Sequence, residues 1–487
     1  MKLSVHWVIV VLASAYFLVN AFLAWNQLSC AVICEEMESD HMVIIRQFSQ
    51  GDHAYYPQDP ELRRSDAAYP PLAFQTYGWV MRWISADVRA IRALRALFGI
   101  AAIVLVGLMV YRLTANRMLA FIASGLAAGI DTPGWFMAFC PDSQHLFFAV
   151  LGAWLLVRSP EVGWKTALLA TLAFFAAFWS KQTGLGYIVA ANVYILIVNW
   201  RRGLVCAVLN VALVAGGVAW GMHMAGNDFL QYTFYVHIDQ PKLLQQLWDP
   251  IYFPYLLGRL SVPLALVFAG VLVEGRRFRN LLKPHYLLLG AGAFVGIICS
   301  LKYGSGLSQA WFFRCMLIVC GCAFAQRLVE SGLIASLPCN VLLGVQLLAS
   351  AQDFRSVIIN QDDVSRYNYI CQLIATPGKE VYYNNLAYLN AIVGKRLYTG
   401  GCDGCWVKGA YHPEVYPKVW REFFEKDPFD VVILDIPSPD GFPVLYERLR
   451  KNYQAVQEIP SDPRNTNSGA LRRRKIVFVK KGVPAKQ

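Results

Sequence analysis

The densest chemistry in the sequence lies at Cys34-Glu35-Glu36-Met37-Glu38-Ser39-Asp40-His41, where four carboxylates fall within six positions. Like charges so close repel one another, so their presence together needs a compensating role. On a helix Glu36 and Asp40 share a face at i, i+4, while Glu35 and Glu38 pair at i, i+3. Such a cluster favours protonation of at least one member and suits either a proton to be exchanged or a divalent cation. A solvated acidic turn beside a membrane is the alternative without chemistry.

Further along come Gln50-Gly51-Asp52, Tyr55-Tyr56-Pro57 and Tyr69-Pro70-Pro71-Leu72, whose prolines stiffen an extended turn able to sit over a cavity. Trp79 and Trp83, interleaved with Arg, suit the headgroup layer. Pro141-Asp142-Ser143 offers another carboxylate, or else an N-cap. Ser180-Lys181-Gln182-Thr183-Gly184 offers an ammonium, or else a snorkelling Lys. Lys302-Tyr303-Gly304-Ser305-Gly306 with Arg314 forms a second cationic element, flexible enough to wrap a phosphate, or else an ordinary turn.

The elements that must position these groups are membrane helices. The 487 residues are 56% hydrophobic and only 16% charged, too apolar for a soluble chain of this length. Runs suited to a hydrocarbon layer of about 30 Å fall at 7–25, 94–111, 118–139, 144–157, 164–179, 184–199, 203–224, 251–273, 285–301, 311–328 and 333–350. The expected fold is therefore a polytopic α-helical membrane protein with about 11 transmembrane helices. The first run lacks a small-x-small cleavage site and is read as a retained helix, not a signal peptide.

With the N-terminus inside, cytoplasmic loops carry Arg112, Arg117, Arg158, Lys165, Arg201, Arg202, Arg276, Arg277, Arg279, Lys283 and Arg327. Short outside loops carry only Lys181, Lys242 and Lys302. This bias places the loop 26–93 and everything after residue 350 outside the cytoplasm. The net charge of +12 is not gathered on one soluble domain, so nucleic acid is not the expected partner.

The chain divides into a membrane domain, 1–350, and a tail, 351–487. The tail is the more charged part, with 20 Lys plus Arg and 15 Asp plus Glu in its 137 residues. Runs at 380–383, 431–436 and 476–479 read as strands among amphipathic stretches at 411–426 and 443–453, giving an extracytoplasmic α/β domain. Seven of the 12 Cys lie in or beside apolar runs and read as small hydrophobes. Outside the cytoplasm a disulfide suits Cys402 with Cys405, and Cys30 with Cys34 is the second candidate pair. A zinc site at Cys402 and Cys405 lacks a second ligand pair.

A carboxylate cluster and several separated cations thus face one side of a many-helix bundle, as an enzyme handling a lipid-linked phosphate and a hydroxyl acceptor requires. In their order, Glu38 and Asp40, Gln50-Gly51-Asp52, Tyr55, Tyr69-Pro70-Pro71-Leu72, Pro141-Asp142, Lys181-Gln182-Thr183-Gly184 and Lys302-Tyr303-Gly304-Ser305 resemble the GT-C superfamily of integral-membrane glycosyltransferases. Within it they resemble the protein O-mannosyltransferase and aminoarabinose transferase group. The likeness spans about residues 1 to 310, and the tail, with Asp430-Val431-Val432-Ile433-Leu434, is similar to the extracytoplasmic domain of such proteins.

The resemblance implies inverting transfer of a sugar from a polyprenyl-phosphate donor to a hydroxyl acceptor, in envelope or glycan assembly at the cell membrane. Asp40 and Glu38, with Glu36 third, are the implied catalytic bases. Lys181, Gln182, Lys302 and Arg314 are the implied ligands of the donor phosphate, and Asp142, Tyr55, Tyr69 and Pro70 line the implied substrate pocket. No cofactor is demanded, and a divalent cation, Mg or Mn, on Glu38 and Asp40 is permitted. The implied partners are the polyprenyl-phosphate-linked sugar, membrane lipid and an acceptor hydroxyl. A lipid-linked glycan polymerase or ligase is the neighbouring alternative; a transporter using Asp131 and Arg259 is the distant one.

Overall fold

The structure, a computed structural model of the chain, describes residues 5–33, 36–53, 55, 67–129, 140–159, 161–239, 253–274, 281–301, 310–333, 336–349, 358–383, 387–393, 426, 429–436, 449, 451–461, 471 and 474–482. The calls on Lys302, Asp131, Cys34, Cys402, Cys405 and the stretch 411–425 lie outside these residues. Cys30 is a free thiol.

Helices occupy the apolar runs. In chain order they are α1 (Val5–Ser29), α2 (Glu36–Ser49), α3 (Leu72–Trp83), α4 (Val88–Thr114), α5 (Arg117–Gly129), α6 (Cys140–Arg158), α7 (Trp164–Ser180), α8 (Leu185–Val198) and α9 (Trp200–Leu230). They continue with α10 (Phe253–Glu274), α11 (Pro284–Ser300), α12 (Trp311–Glu330) and α13 (Ser336–Ala349). Among the described residues, Trp7–Ser29, Val88–Thr114, Trp200–Tyr235 and Trp311–Glu330 are long and apolar enough to cross a membrane by length and composition. The chain is a multi-pass helical membrane protein whose outward side chains, such as Leu18, Val211, Phe268 and Phe294, are apolar because their solvent is lipid.

Lipid offers no hydrophobic drive between helices, so contact depends on close fit. α4 packs on α1, α3, α5, α6 and α12, and α12 is buried along most of its length. A Cβ on Gly321 of α12 would lie 3.0 Å from the Pro263 Cα, which fixes the approach of α10. α10 itself is irregular at Leu260, ahead of Pro263. The Gln346 side chain of α13 answers the break, accepting from the Val262 amide at 2.8 Å and donating to the Arg259 carbonyl at 2.9 Å.

Between α1 and α4 the described residues form α2 and α3, which pack on one another. A Cβ on Gly78 would meet the Phe48 Cβ at 3.0 Å, so glycine lets the two backbones approach. α3 then rests on α4, α6 and α7, and so carries α2 to the end of the bundle.

Among the described residues the tail contributes α14 (Gln361–Ala375), α15 (Ala387–Ile392) and four strands: β1 (Val381–Tyr383), β2 (Val431–Ile436), β3 (Tyr453–Ile459) and β4 (Arg474–Lys480). Their order is β1-β2-β4-β3, with β1 parallel to β2 and the other pairs antiparallel. Asn360 and Asp363 close a reciprocal capping box at the start of α14. The expected strands are found, and the helical stretch expected to reach 453 gives way at Tyr453 to an edge strand, β3, absent from the sequence reading.

Candidate active site

Glu38 is the first of the acidic cluster to find a partner. It lies on α2 with its two oxygens between Arg92 and Arg95 of α4. Arg92 donates through Nε to Oε1 at 2.8 Å and through Nη2 to Oε2 at 2.6 Å; Arg95 Nη2 donates to Oε1 at 2.6 Å. Arg92 also donates to the carbonyls of Gln27, Cys30 and Val32. One guanidinium therefore ties the end of α1, the turn after it and α2 to α4. Burial by itself would raise the Glu38 carboxyl; Arg92 and then Arg95, by charge and hydrogen bonds, outweigh it and hold the group below the usual carboxylate range.

A carboxylate held ionised by two guanidinia is a weak proton acceptor. Its oxygens are also already engaged, so a cation shared by Glu38 and Asp40 does not fit the Glu38 side chain. Among the described residues, no three His, Cys, Asp or Glu side chains converge as metal ligands. Asp40, two residues on, is buried on the same helix. Glu36 is the first residue of α2, and its side chain lies outside the described residues.

The second charged centre is Asp142 with Lys181. Lys181 Nζ donates to Asp142 Oδ1, and both side chains are almost wholly buried. Asp142 is not the N-cap: α6 begins at Cys140, so the carboxylate sits in the first turn, where the helix dipole favours a negative charge. Nor does Lys181 snorkel; it is the extended residue that ends α7, held under the Tyr69 ring at 5.2 Å. Among the described residues, Asp142 Oδ2 has no hydrogen-bond partner. This pair is a buried salt bridge with an acceptor atom to spare.

Tyr69 belongs to the segment that leads from the first loop into α3, and several groups fasten that segment down. Tyr55 OH donates to the Tyr69 carbonyl at 2.6 Å, and burial pushes the Tyr55 phenol up, which keeps it a neutral donor. His237 Nε2 donates to the Ala68 carbonyl at 2.6 Å, its ring stacked on Tyr69, and Gln182 Nε2 reaches the same carbonyl at 3.5 Å. His237 gets there because α9 breaks at Gly226, whose φ of 58° favours glycine. The chain then continues through a π-helical turn, Gln231–Tyr235, of the kind often met at functional sites. Pro70 is buried beside them.

Side-chain contacts link the two centres. His41 of α2 packs on Phe74 of α3, with ring centres 5.7 Å apart. Tyr77 of α3 lies 3.2 Å from Ser143, and Gln144 reaches Thr76 at 3.3 Å. From Asp142 the packing runs on through His145 and Tyr187 to Phe312, two residues before the buried Arg314 of α12.

The predicted residues Asp142, Lys181, Gln182, Tyr55, Tyr69 and Pro70 thus gather in one place, with Asp40 on the helix packed beside it. Glu38 is turned instead toward α4. Arg92, Arg95 and His237 were not picked out from the sequence. A signal existed for the arginines: Arg92 and Arg95 fall on the buried stripe with Val88, Ile91, Ala96 and Gly99, whereas Arg89 is exposed. A cation on a core stripe needs a buried counter-charge. His237 carried no comparable signal.

No protein-family model matches the sequence, and no curated protein matches it. Solved structures do. ArnT from Cupriavidus metallidurans, in a structure bound to undecaprenyl phosphate, aligns over 97% of this chain and 99% of its own at 13% identity, with a TM-score of 0.58. The same protein in the apo state gives 0.59. The archaeal oligosaccharyltransferase AglB from Archaeoglobus fulgidus, in complex with an inhibitory peptide and a dolichol-phosphate, aligns over 87% of this chain and 69% of its own at 11% identity, with a TM-score of 0.52. At these identities the likeness is one of fold. The many-helix membrane fold expected from the sequence is the fold found, and ArnT and AglB share it.

Proposed function

We propose that this protein is an inverting glycosyltransferase. It moves a sugar from a polyprenyl-phosphate donor to a hydroxyl acceptor at the outer face of the cell membrane, with about eleven spans and the α/β tail on that face. The observation that carries the reading is the buried Asp142–Lys181 pair roofed by Tyr69, with the Asp40 helix packed beside it through α3. Phosphate-linked lipids bound to ArnT and AglB, which share the fold, support the choice of donor.

In this mechanism Asp40 takes the proton of the acceptor hydroxyl as its oxygen attacks the anomeric carbon. The bond from that carbon to the phosphate oxygen breaks, and polyprenyl phosphate leaves with the electron pair. Lys181, Gln182, Arg314 and Lys302 stabilise the departing charge. Lys181 meets the phosphate by sharing the ammonium now held by Asp142. Glu38 serves as the counter-ion that seats α2 on α4. A Mg or Mn ion would need ligands other than Glu38, whose oxygens Arg92 and Arg95 already occupy.

Deletion of the gene should cause one polyprenyl-phosphate sugar to accumulate in extracted lipids, and the wild-type protein should clear it. Lipid-linked sugars unchanged by deletion would overturn the reading.

A further inference from the structure

Successive side chains on a helix point about 100° apart, and α2 uses this to touch three different neighbours. Glu38 faces Arg92 and Arg95 of α4, and His41 faces Phe74 of α3. Between them Ser39, wholly buried, faces the tail: its Oγ accepts a hydrogen bond from the backbone amide of Tyr388, the second residue of α15, at 3.0 Å. These anchors together fix the roll of α2, and with it the direction in which Asp40 points.

The tail is itself held at both ends of this contact. Asn26, near the end of α1, donates to the Ile359 carbonyl at 2.9 Å and accepts from the Ile359 amide at 2.8 Å, so the tail is pinned where it begins. α15 is fastened to the sheet by Asn390 Nδ2, which donates to the Val381 carbonyl of β1 at 3.3 Å, and it packs on α14. Tyr388, Leu389 and Asn390 are all buried. A small sheet domain thus presents one rigid backbone amide to the residue between the two acids.

We propose that the C-terminal domain is a positioning element for catalysis, acting through the Tyr388 amide on Ser39 to aim Asp40; this rests on the transferase reading above. A helix with side chains is about 10–12 Å across, so a roll of about 20° moves a side-chain tip by about 2 Å. Misplacement of about 1 Å can cost about 100-fold in rate. The donor phosphate ligands Lys181 and Arg314 stand at the end of α7 and on α12, not on α2.

The test uses full-length protein in detergent or nanodiscs. Ser39→Ala should lower kcat about 10- to 100-fold while the donor KM stays within about 3-fold. Ser39→Thr keeps the hydroxyl acceptor and should restore kcat to within about 3-fold of wild type. Hydrogen exchange should accelerate over 36–49 and at Tyr388 in Ser39→Ala but not in Ser39→Thr. Asn26→Ala, at the other contact of the tail, should loosen the same docking and lower kcat with KM unchanged, and it stands in if Ser39→Ala does not fold. Full kcat in both alanine variants, or a threonine variant as impaired as the alanine one, overturns the proposal. If the wild type transfers no sugar, the transferase reading falls separately. Exchange then judges the docking alone, and unchanged protection in Ser39→Ala overturns it.

Discussion

The Glu38→Gln substitution separates structure from chemistry within the acidic cluster. Three charge-assisted hydrogen bonds of 2.6 to 2.8 Å converge on Glu38 from Arg92 and Arg95, and both arginines are at most 2% exposed. Glutamine keeps the shape but removes the negative charge and turns an amide N–H toward a guanidinium. Removing one partner of a buried ion pair costs about 3–5 kcal/mol, because the charge left behind has no compensation. Here two guanidinia are left. The variant should therefore unfold several degrees below wild type, measured by intrinsic tryptophan fluorescence during heating in detergent at neutral pH.

The same pair fixes the sign of a pH dependence. The folded-state Glu38 carboxyl titrates below its usual range, with burial opposing and Arg92 and Arg95 prevailing. The unfolded state therefore binds the proton more readily, at a pH near 4.3. The stability from ionised Glu38 is complete above that pH and is lost as pH falls through the lower folded-state value. The gap between wild type and Glu38→Gln should be constant from pH 6 to 8 and shrink on acidification below about 4. A variant as stable as wild type at pH 7, or a gap that widens in acid, would refute the assignment of Glu38 as a structural counter-ion.

Two further outcomes are expected. Lys181→Met should destabilise the protein by about 3–5 kcal/mol by stranding Asp142, and the double variant Lys181→Met with Asp142→Leu should recover thermal stability but not transfer. Equal recovery of both would remove Lys181 from the donor site. Val456 is exposed on β3; Val456→Cys should react with an impermeant maleimide in intact cells. Reaction only after permeabilisation would place the tail inside.

The helices were legible because the bilayer imposes one demand, long apolar runs, that sequence displays directly. Lys181 and Asp142 were also legible singly as charges at helix ends. Their pairing was not, since they stand 39 positions apart and meet only through the docking of α6 on α7. Choosing among Glu36, Glu38 and Asp40 was harder still. The spacing of acids on α2 says which share a face, but the neighbour each face meets is decided by α4 and the tail. The partner of Glu38 on α4, Arg92, comes 54 residues later. In the tail, β2 and β4 carry dense β-branched runs, whereas β3 is exposed along five consecutive residues between its buried ends. An edge strand wet on both faces has no alternation to detect.

The most direct measurement is single-turnover transfer by purified protein from a defined polyprenyl-phosphate sugar, comparing wild type with Asp40→Asn. The wild type should give an inverted anomeric product and one polyprenyl phosphate per sugar transferred. Asp40→Asn should transfer about 10²- to 10⁴-fold more slowly, at an unchanged donor KM. Undiminished transfer by Asp40→Asn, or a product of retained configuration, would contradict this mechanism.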